Sequence, residues 1–233
     1  MLVLTIFTAC GQNKKEVTSP FKFLEAVDIY RAHIADSLKY LIPILDSVVE
    51  SDQKYRYGIS NDDEGMRNFK LHNKEVRSID SINTIKVSAI LDRYGWLGKK
   101  DVGIMESEAI FFVIQHADSA TQEKYLPLIR KAVMDKKENP HHLTMLEDRV
   151  SLRKNKYQIY GTQVIYDFQN KKHYLLPLID PENVIERRKS IGLDSTSFQS
   201  YLTKFNIKWD VETYKKDLPE VQEFLLKSKY HLR

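Results

Sequence analysis

The sequence has a single cysteine, Cys10, and only 8 glycines and 7 prolines in 233 residues. One cysteine excludes an intramolecular disulfide and a Cys-x-x-Cys motif. Because Cys10 lies so near the start, the folded part of the chain has no thiol nucleophile. The low glycine and proline content, with 42% apolar and 29% charged residues, excludes collagen-like and low-complexity chains. A globular chain of this length buries a core without disulfides or metal ions.

The sequence also lacks a large charge of one sign. It has 36 basic and 32 acidic side chains, a formal charge of +4. Basic pairs such as Lys136-Lys137 are scattered along the chain and indicate solvated surface rather than a basic stripe. We therefore expect no nucleic-acid partner.

No apolar run beyond the first residues approaches the roughly 20 residues that span a bilayer. Residues 1–9 form a short apolar run that ends directly before Cys10-Gly11, and polar residues follow. This pattern resembles a bacterial lipoprotein signal. We interpret residues 1–10 as a signal remnant that ends at the lipidation cysteine Cys10, and residues 11–20 as a flexible tether. The protein is then expected in the cell envelope, attached to the membrane by a lipid, with its domain on the non-cytoplasmic side.

One feature of this segment does not fit a lipoprotein signal. Such a signal normally begins with positive charge and is longer, whereas nine uncharged residues precede Cys10. Three explanations stay open: the natural start lies upstream, the sequence is truncated, or the match is accidental and residues 1–9 are an ordinary buried end.

Residues 21–233 are predicted to form a single, mainly helical (α+β) domain. Apolar residues at spacings of three and four predict a helix within residues 24–48, broken or kinked at Pro43, and a second helix at 66–94. The apolar side of that second helix is expected to carry Phe69, Val76, Ile79, Ile82, Ile85 and Ala89.

The run Ala109–Ile114 is apolar on all sides and therefore predicts a buried central helix, from Glu106 to about Asp118. Further helices are predicted at 119–136, 140–153, 181–192, 197–205 and 211–227.

The spacing of apolar residues changes from a helical to an alternating pattern after the central helices. Residues 157–167 and 173–179 alternate and are rich in Tyr, Ile, Val and Thr, which predicts an antiparallel β-hairpin at about 157–179. The predicted architecture is a helical bundle with this small hairpin.

Four polar clusters interrupt these well-patterned elements. A buried charge costs several kcal/mol unless it is paired, so we expect the clusters to meet one another. They are Gln115, His116 and Asp118; Asp148 and Arg149; Gln158, Tyr160, Gly161, Thr162 and Gln163; and Arg187 and Arg188.

In order and spacing, these motifs resemble an uncharacterised bacterial family known only as a domain of unknown function, whose members include many predicted exported proteins and lipoproteins. Asp52-Gln53 with Arg56, and Gly95-Trp96, are similar to its earlier part. The resemblance covers about Asp52 to Leu193. It implies that these residues act as a unit and supplies no reaction or ligand.

Two interpretations of the clusters remain open. In the first, the protein is not an enzyme, and the polar clusters have one of two roles. They bind a small molecule or peptide, or they form a structural network in which His116 caps a helix and Asp148 and Arg149 tie the hairpin to the bundle. The ligand-binding candidates are Gln115, Arg149, Gln158, Thr162, Gln163, Arg187 and Arg188.

The alternative is a hydrolase-type enzyme with His116 as general acid or base, oriented by Asp118 or Asp148. Gly-x-Ser-x-Gly is absent, so an activated water is the expected nucleophile. Neither His116-x-Asp118 nor His141-His142 has the spacing of a helical metal motif such as HExxH, and we expect no metal and no cofactor.

Overall fold

The computed structural model describes residues 29–54, 56, 72–167 and 169–228. The lipidation site predicted at Cys10, the tether and the first part of the helix predicted at 66–94 lie outside these ranges. Among the described residues, no helix combines the length and the hydropathy that crossing a membrane requires.

Contacts between Cα atoms divide the chain into two compact units. Unit 1 contains the described residues up to Ala117 together with Pro127–Asn139. Unit 2 contains Asp118–Leu126 and the chain from Pro140 onward. The organisation of residues 21–233 as a single domain stays a prediction.

Helices predominate, and a two-stranded antiparallel sheet follows the central helices, so the predicted fold class is confirmed. The helices are α1 (Ile42–Gln53), α2 (Asn73–Tyr94), α3 (Lys99–Val102), α4 (Ile104–His116), α5 (Ser119–Met134), α6 (Pro140–Arg153), α7 (Val184–Ser190), α8 (Ser197–Thr203) and α9 (Val211–Ser228), the strands are β1 (Val164–Asp167) and β2 (Lys172–Leu175), and short 3₁₀ helices lie at Lys39–Leu41 and Pro181–Asn183.

The predicted central helix is α4, and it forms the core of unit 1. Helices α1, α2 and α3 all contact it. Ile110, Phe111 and Ile114 are completely buried. A helix with neighbours on several sides needs apolar residues all round, which explains why this run shows no polar face.

The face of α2 that packs on the core agrees only in part with the predicted one, because Val76 is buried as predicted but Ala89 is exposed. Ile82 and Ile85 are 52% and 72% exposed, whereas Asn83 is buried between Val76 and Val87 on the inner face. Asn83 exchanges hydrogen bonds of 3.0 and 3.2 Å with Ser51 of α1. A buried amide needs such partners, so the polar pairing and not the isoleucines marks the inner face.

Proline and glycine mark helix ends as expected. Pro43 occupies the second position of α1, where a missing amide costs nothing, so the helix starts there instead of bending. Pro140 is the first residue of α6. Gly95 ends α2 with a φ of +72°, and its amide donates to the carbonyl of Leu91.

A buried acid in α4, Glu106, is paired with Arg31. Arg31 Nε donates to Glu106 Oε1 at 2.9 Å, and Nη2 contacts Asp46 at 2.6 Å. The side chain of Glu106 is fully buried, and burial raises its pKa. Arg31 therefore compensates a charge that water does not reach.

Replacing Arg31 by methionine is expected to destabilise unit 1 by about 1–2 kcal/mol at neutral pH, less than for a fully buried pair because Arg31 is 37% exposed. Without the arginine, the pKa of Glu106 rises further. The loss of stability in the variant therefore becomes smaller at acidic pH, where the Glu106 carboxylate is protonated. Urea unfolding at about pH 7.5 and about pH 4.5 measures this difference. An equal loss at both pH values would contradict the ionic explanation.

Unit 2 is built on the hairpin and helices α7 to α9. In the hairpin, Val164 pairs with Leu175 and Asp167 with Lys172. Its strands are shorter than predicted because residues 158–163 form a hydrogen-bonded loop, with only an isolated bridge between Gln158 and Leu178. The main hydrophobic cluster of unit 2 contains Leu175, Leu178, Val184, Phe198, Leu202 and Tyr214.

Candidate active site

His116, the last residue of α4, contacts a buried carboxylate in unit 1. Its Nδ1 lies 3.1 Å from Asp52 Oδ1, near the end of α1. The side chain of Asp52 is 2% exposed and that of His116 is 21% exposed. Nε2 of His116 has no hydrogen-bond partner among the described residues, so one ring nitrogen is fixed and the other is available.

Arg56 and Asp80 complete this cluster. Arg56 Nη1 donates to Asp52 Oδ1 at 3.0 Å, and Nη2 donates to both oxygens of Asp80 at 2.7 and 2.8 Å. Burial raises the pKa of Asp52, but His116 and Arg56 outweigh burial and hold that pKa below its usual range. Asp52 is therefore an ionised acceptor for the histidine at neutral pH.

The same side chains form a set of metal-ligand types. One donor atom each from Asp52, Asp80 and His116 lies within 4.8 Å of the others. The guanidinium of Arg56 bonds to both carboxylates and supplies the positive charge that a cation would bring. With Arg56 in this position, the cluster is a charge-compensated ion-pair network.

Asp148 organises a different cluster, in unit 2. It is fully buried in α6, and its oxygens accept hydrogen bonds from the amides of Ile159, Tyr160 and Thr162 and from the Thr162 hydroxyl, at 2.5 to 2.8 Å. Burial raises the pKa of Asp148 and these donors oppose that rise. The four bonds hold residues 159–162 against α6.

Two glutamines, Gln158 and Gln163, connect the two ends of the loop that Asp148 holds. Gln158 Nε2 donates to the carbonyls of Leu176 and Gln163 at 2.7 and 3.2 Å, and its Oε1 accepts from the Gln163 amide at 2.8 Å. Gln163 Nε2 contacts Thr162 Oγ1 at 3.1 Å. Both side chains are buried, and these bonds satisfy backbone groups where the strand ladder is interrupted.

Arg187 and Arg188, which both belong to α7, donate hydrogen bonds to carbonyls of the loop 158–163 and its surroundings. Arg187 donates to the carbonyls of Ile159, Ile179 and Asp180. Arg188 donates to the Tyr160 carbonyl at 3.0 Å and to Ser197 Oγ at 3.1 Å.

The Arg188 guanidinium also packs over the Phe198 ring at 5.1 Å. Arg188 is 1% exposed, and burial lowers its pKa. This burial shows that the arginine is part of the interior of unit 2.

Gly161 allows the loop to pass Phe198. Its φ is +75°, and a Cβ atom there would lie 2.6 Å from the Phe198 ring. Gly161→Ala is expected to cost about 2–4 kcal/mol, because the left-handed backbone is strained with a side chain and the packed ring must move. Urea unfolding measures the cost. Gly192→Ala is the control, with φ +91° and no atom closer than 3.8 Å, and an equal loss in both variants would contradict a role for the ring contact.

The structure brings together three of the four polar clusters. Asp148, the loop from Gln158 to Gln163, Arg187 and Arg188 meet inside unit 2. Arg149, next to Asp148 on α6, is half-buried. These placements describe packing, and the ligand-binding roles of these residues stay predictions.

The residues of the fourth cluster are divided between the two units. Gln115 and His116 belong to α4 of unit 1, where Gln115 is buried. Asp118 belongs to unit 2, where its carboxylate accepts from the Thr121 amide at 2.8 Å and caps α5. This bond lowers the pKa of Asp118.

The carboxylate that contacts His116 was not among our site residues. Asp52 and Arg56 appeared only in the resemblance, and Asp80 was not considered. A signal existed for Asp80, because it stands with Val76, Asn83 and Val87 at helical spacing on the inner face of α2. An acid in line with buried residues indicates a buried partner.

The family of the chain follows from comparison with known proteins. The family model described as "Family of unknown function (DUF6624)" matches residues 41–208. This range includes both the cluster around His116 and the cluster around Asp148. Neither the curated proteins nor the solved structures gave a match. The expected resemblance to an uncharacterised domain family is thus confirmed. The chain belongs to the family of unknown function DUF6624.

Proposed function

We propose that the protein is a lipid-anchored protein of the cell envelope in which His116 is the general acid and base of a hydrolase-type reaction. The observation that carries this proposal is the contact of His116 Nδ1 with the buried Asp52, while Nε2 has no hydrogen-bond partner in the part of the chain that the structure describes. A histidine with one nitrogen bonded to a carboxylate and the other accessible is a recurrent acid–base arrangement in enzymes.

Asp52 has the orienting role in this proposal, the role that the sequence favoured for Asp118 or Asp148. Its carboxylate accepts a hydrogen bond from Nδ1–H, which leaves Nε2 as the basic nitrogen of the neutral ring. Arg56 bonds to the same oxygen and fixes its position. The arginine thereby limits the rotation of Asp52 that would release the ring.

The proposed reaction needs a water molecule and no protein nucleophile. Nε2 removes a proton from water as the water oxygen attacks the substrate. The imidazolium then returns that proton to the leaving group, so the histidine ends in its starting state.

Purified protein is to be tested with chromogenic esters, phosphoesters, glycosides and amides. We expect one class to be hydrolysed, His116→Gln to abolish the activity, and the exposed His33→Gln to leave it unchanged. Because Arg56 compensates the carboxylates, a chelator should not lower the rate. Turnover of no class, or equal turnover by His116→Gln, would contradict the proposal.

Ligand binding without turnover is distinguished in the same panel. Compounds that raise the unfolding temperature of the wild type but are not hydrolysed indicate a binding protein.

The proposed anchor is tested separately from the reaction. Incorporation of labelled palmitate during expression of the full chain in bacteria is expected for the wild type and not for Cys10→Ser. Equal labelling of both proteins, or no labelling of the wild type, would contradict lipidation at Cys10.

A further inference from the structure

A cavity of about 260 Å³ lies in unit 2, outside the polar clusters described above. It is lined by β2 and the residue before it, by the segment that joins α8 to α9, and by the first turns of α9. The volume is slightly below the range of about 300–1,000 Å³ that is usual for drug-sized ligands. It therefore suits a molecule with one ring.

Aromatic side chains line the cavity. Phe205, Trp209, Tyr174 and Tyr214 all contribute to its wall. Trp209 is held by Phe198 and Tyr214, with ring centroids at 4.9 and 5.5 Å. Rings fixed in this way offer a flat apolar surface to a planar ligand at little cost in side-chain entropy.

The charged groups of the lining favour an anion. The lining contains three lysines and two aspartates, namely Lys171, Lys172, Lys208, Asp210 and Asp217. Asp217 lies 3.9 Å from Lys172, and Asp210 accepts the Thr213 amide at the start of α9. Lys208 makes no ion pair among the described residues, although its charge helps to lower the pKa of Asp210. The lining carries one formal positive charge in total, and the exposed Lys208 contributes to it.

His173 adds a polar group that has no hydrogen-bond partner among the described residues. Its ring packs against Tyr166 and Phe205 at 4.8 and 5.4 Å, and its nitrogens make no hydrogen bond to described residues. Burial lowers its pKa, so the ring is neutral at neutral pH. A neutral imidazole has one donor and one acceptor, and its donor can bond to a carboxylate.

We propose that this cavity is a binding site for a monocyclic aromatic carboxylate, with the ring against Trp209 and Phe205 and the carboxylate near His173 and Lys208. The site is independent of His116, which lies in unit 1.

The test uses the full chain and the indole signals of its two tryptophans in ¹H–¹⁵N NMR. Trp96, which is buried in unit 1, serves as the internal reference. The probes are 4-hydroxybenzoate, its uncharged methyl ester and the non-aromatic cyclohexanecarboxylate. We expect 4-hydroxybenzoate to shift Trp209 saturably, with Trp96 unmoved, and the other two to bind at least about fivefold more weakly.

Two variants locate the charge. Lys208→Gln should weaken 4-hydroxybenzoate about threefold and leave the ester unchanged, as expected for one exposed ion pair. Lys189→Gln is the control, a lysine of unit 2 paired with Glu186 outside the cavity. No movement of Trp209 at about 10 mM probe, or equal affinity for acid and ester, would overturn the proposal. His116→Gln should bind the probe normally, which separates this result from the hydrolase test.

Discussion

Asp148→Ala is expected to destabilise unit 2 by more than about 4 kcal/mol. The substitution removes the acceptor of three amides and of the Thr162 hydroxyl. The two bonds of Thr162 are buried and those of Ile159 and Tyr160 are partly buried, and a buried group left unsatisfied costs about 1–3 kcal/mol. Domains are stable by about 5–15 kcal/mol, so unit 2 of the variant is expected to be partly unfolded at 25 °C. Urea unfolding followed by circular dichroism, together with the protection of amides 159–162 from hydrogen exchange, measures the effect.

Asp210→Ala is the matched control. Asp210 is exposed and accepts the Thr213 amide at the first turn of α9. Loss of such a cap costs about 0.5–2 kcal/mol. If Asp148→Ala costs no more than Asp210→Ala, then Asp148 does not hold the loop, and a site function would become the better explanation for its burial.

Asp52→Asn is expected to lower the rate of the proposed hydrolysis about 10²- to 10⁴-fold at nearly unchanged KM. An amide has the shape of the carboxylate, but it no longer provides the negative charge that stabilises the imidazolium or selects the Nδ1–H form of the ring. Steady-state kinetics on the substrate class found in the panel measures the change, with the free energy of unfolding as a check on folding.

Asp80→Asn distinguishes a catalytic pair from a structural network. Asp80 bonds to Arg56 and not to His116, so the rate should fall about tenfold or less. Equal losses in the Asp52 and Asp80 variants would mean that the network acts as a structural unit and that Asp52 has no special relation to the histidine.

Local patterns in the sequence predicted most of the helices. The apolar run at Ala109–Ile114 gave α4 within two residues at each end, and Pro140 and Gly95 marked helix ends. The face of α2 could not be predicted from apolar residues alone. Its Ile82 and Ile85 fit the helical period, but the hydrogen bonds of Asn83 and Asp80 to other segments determine which side is buried.

The two polar clusters show which parts of a site can be found in a sequence. Asp148 and the loop motif were identified as polar groups in patterned elements, but the partners of Asp148 are mainly backbone amides, which no side-chain pattern reveals. Asp52 and His116 are 64 residues apart. Their contact depends on the packing of α1 against α4, and nothing local in either segment indicates it.

We infer that Asp52 holds His116 with its proton on Nδ1, so that Nε2, which has no hydrogen-bond partner among the described residues, can exchange a proton. ¹⁵N NMR of the His116 ring in the intact protein tests this most directly, at a pH where the ring is neutral. We expect the Nδ1–H tautomer in the wild type and a shift toward Nε2–H in Asp52→Asn. An Nε2–H tautomer in the wild type, or the same ring signals in both proteins, would contradict it.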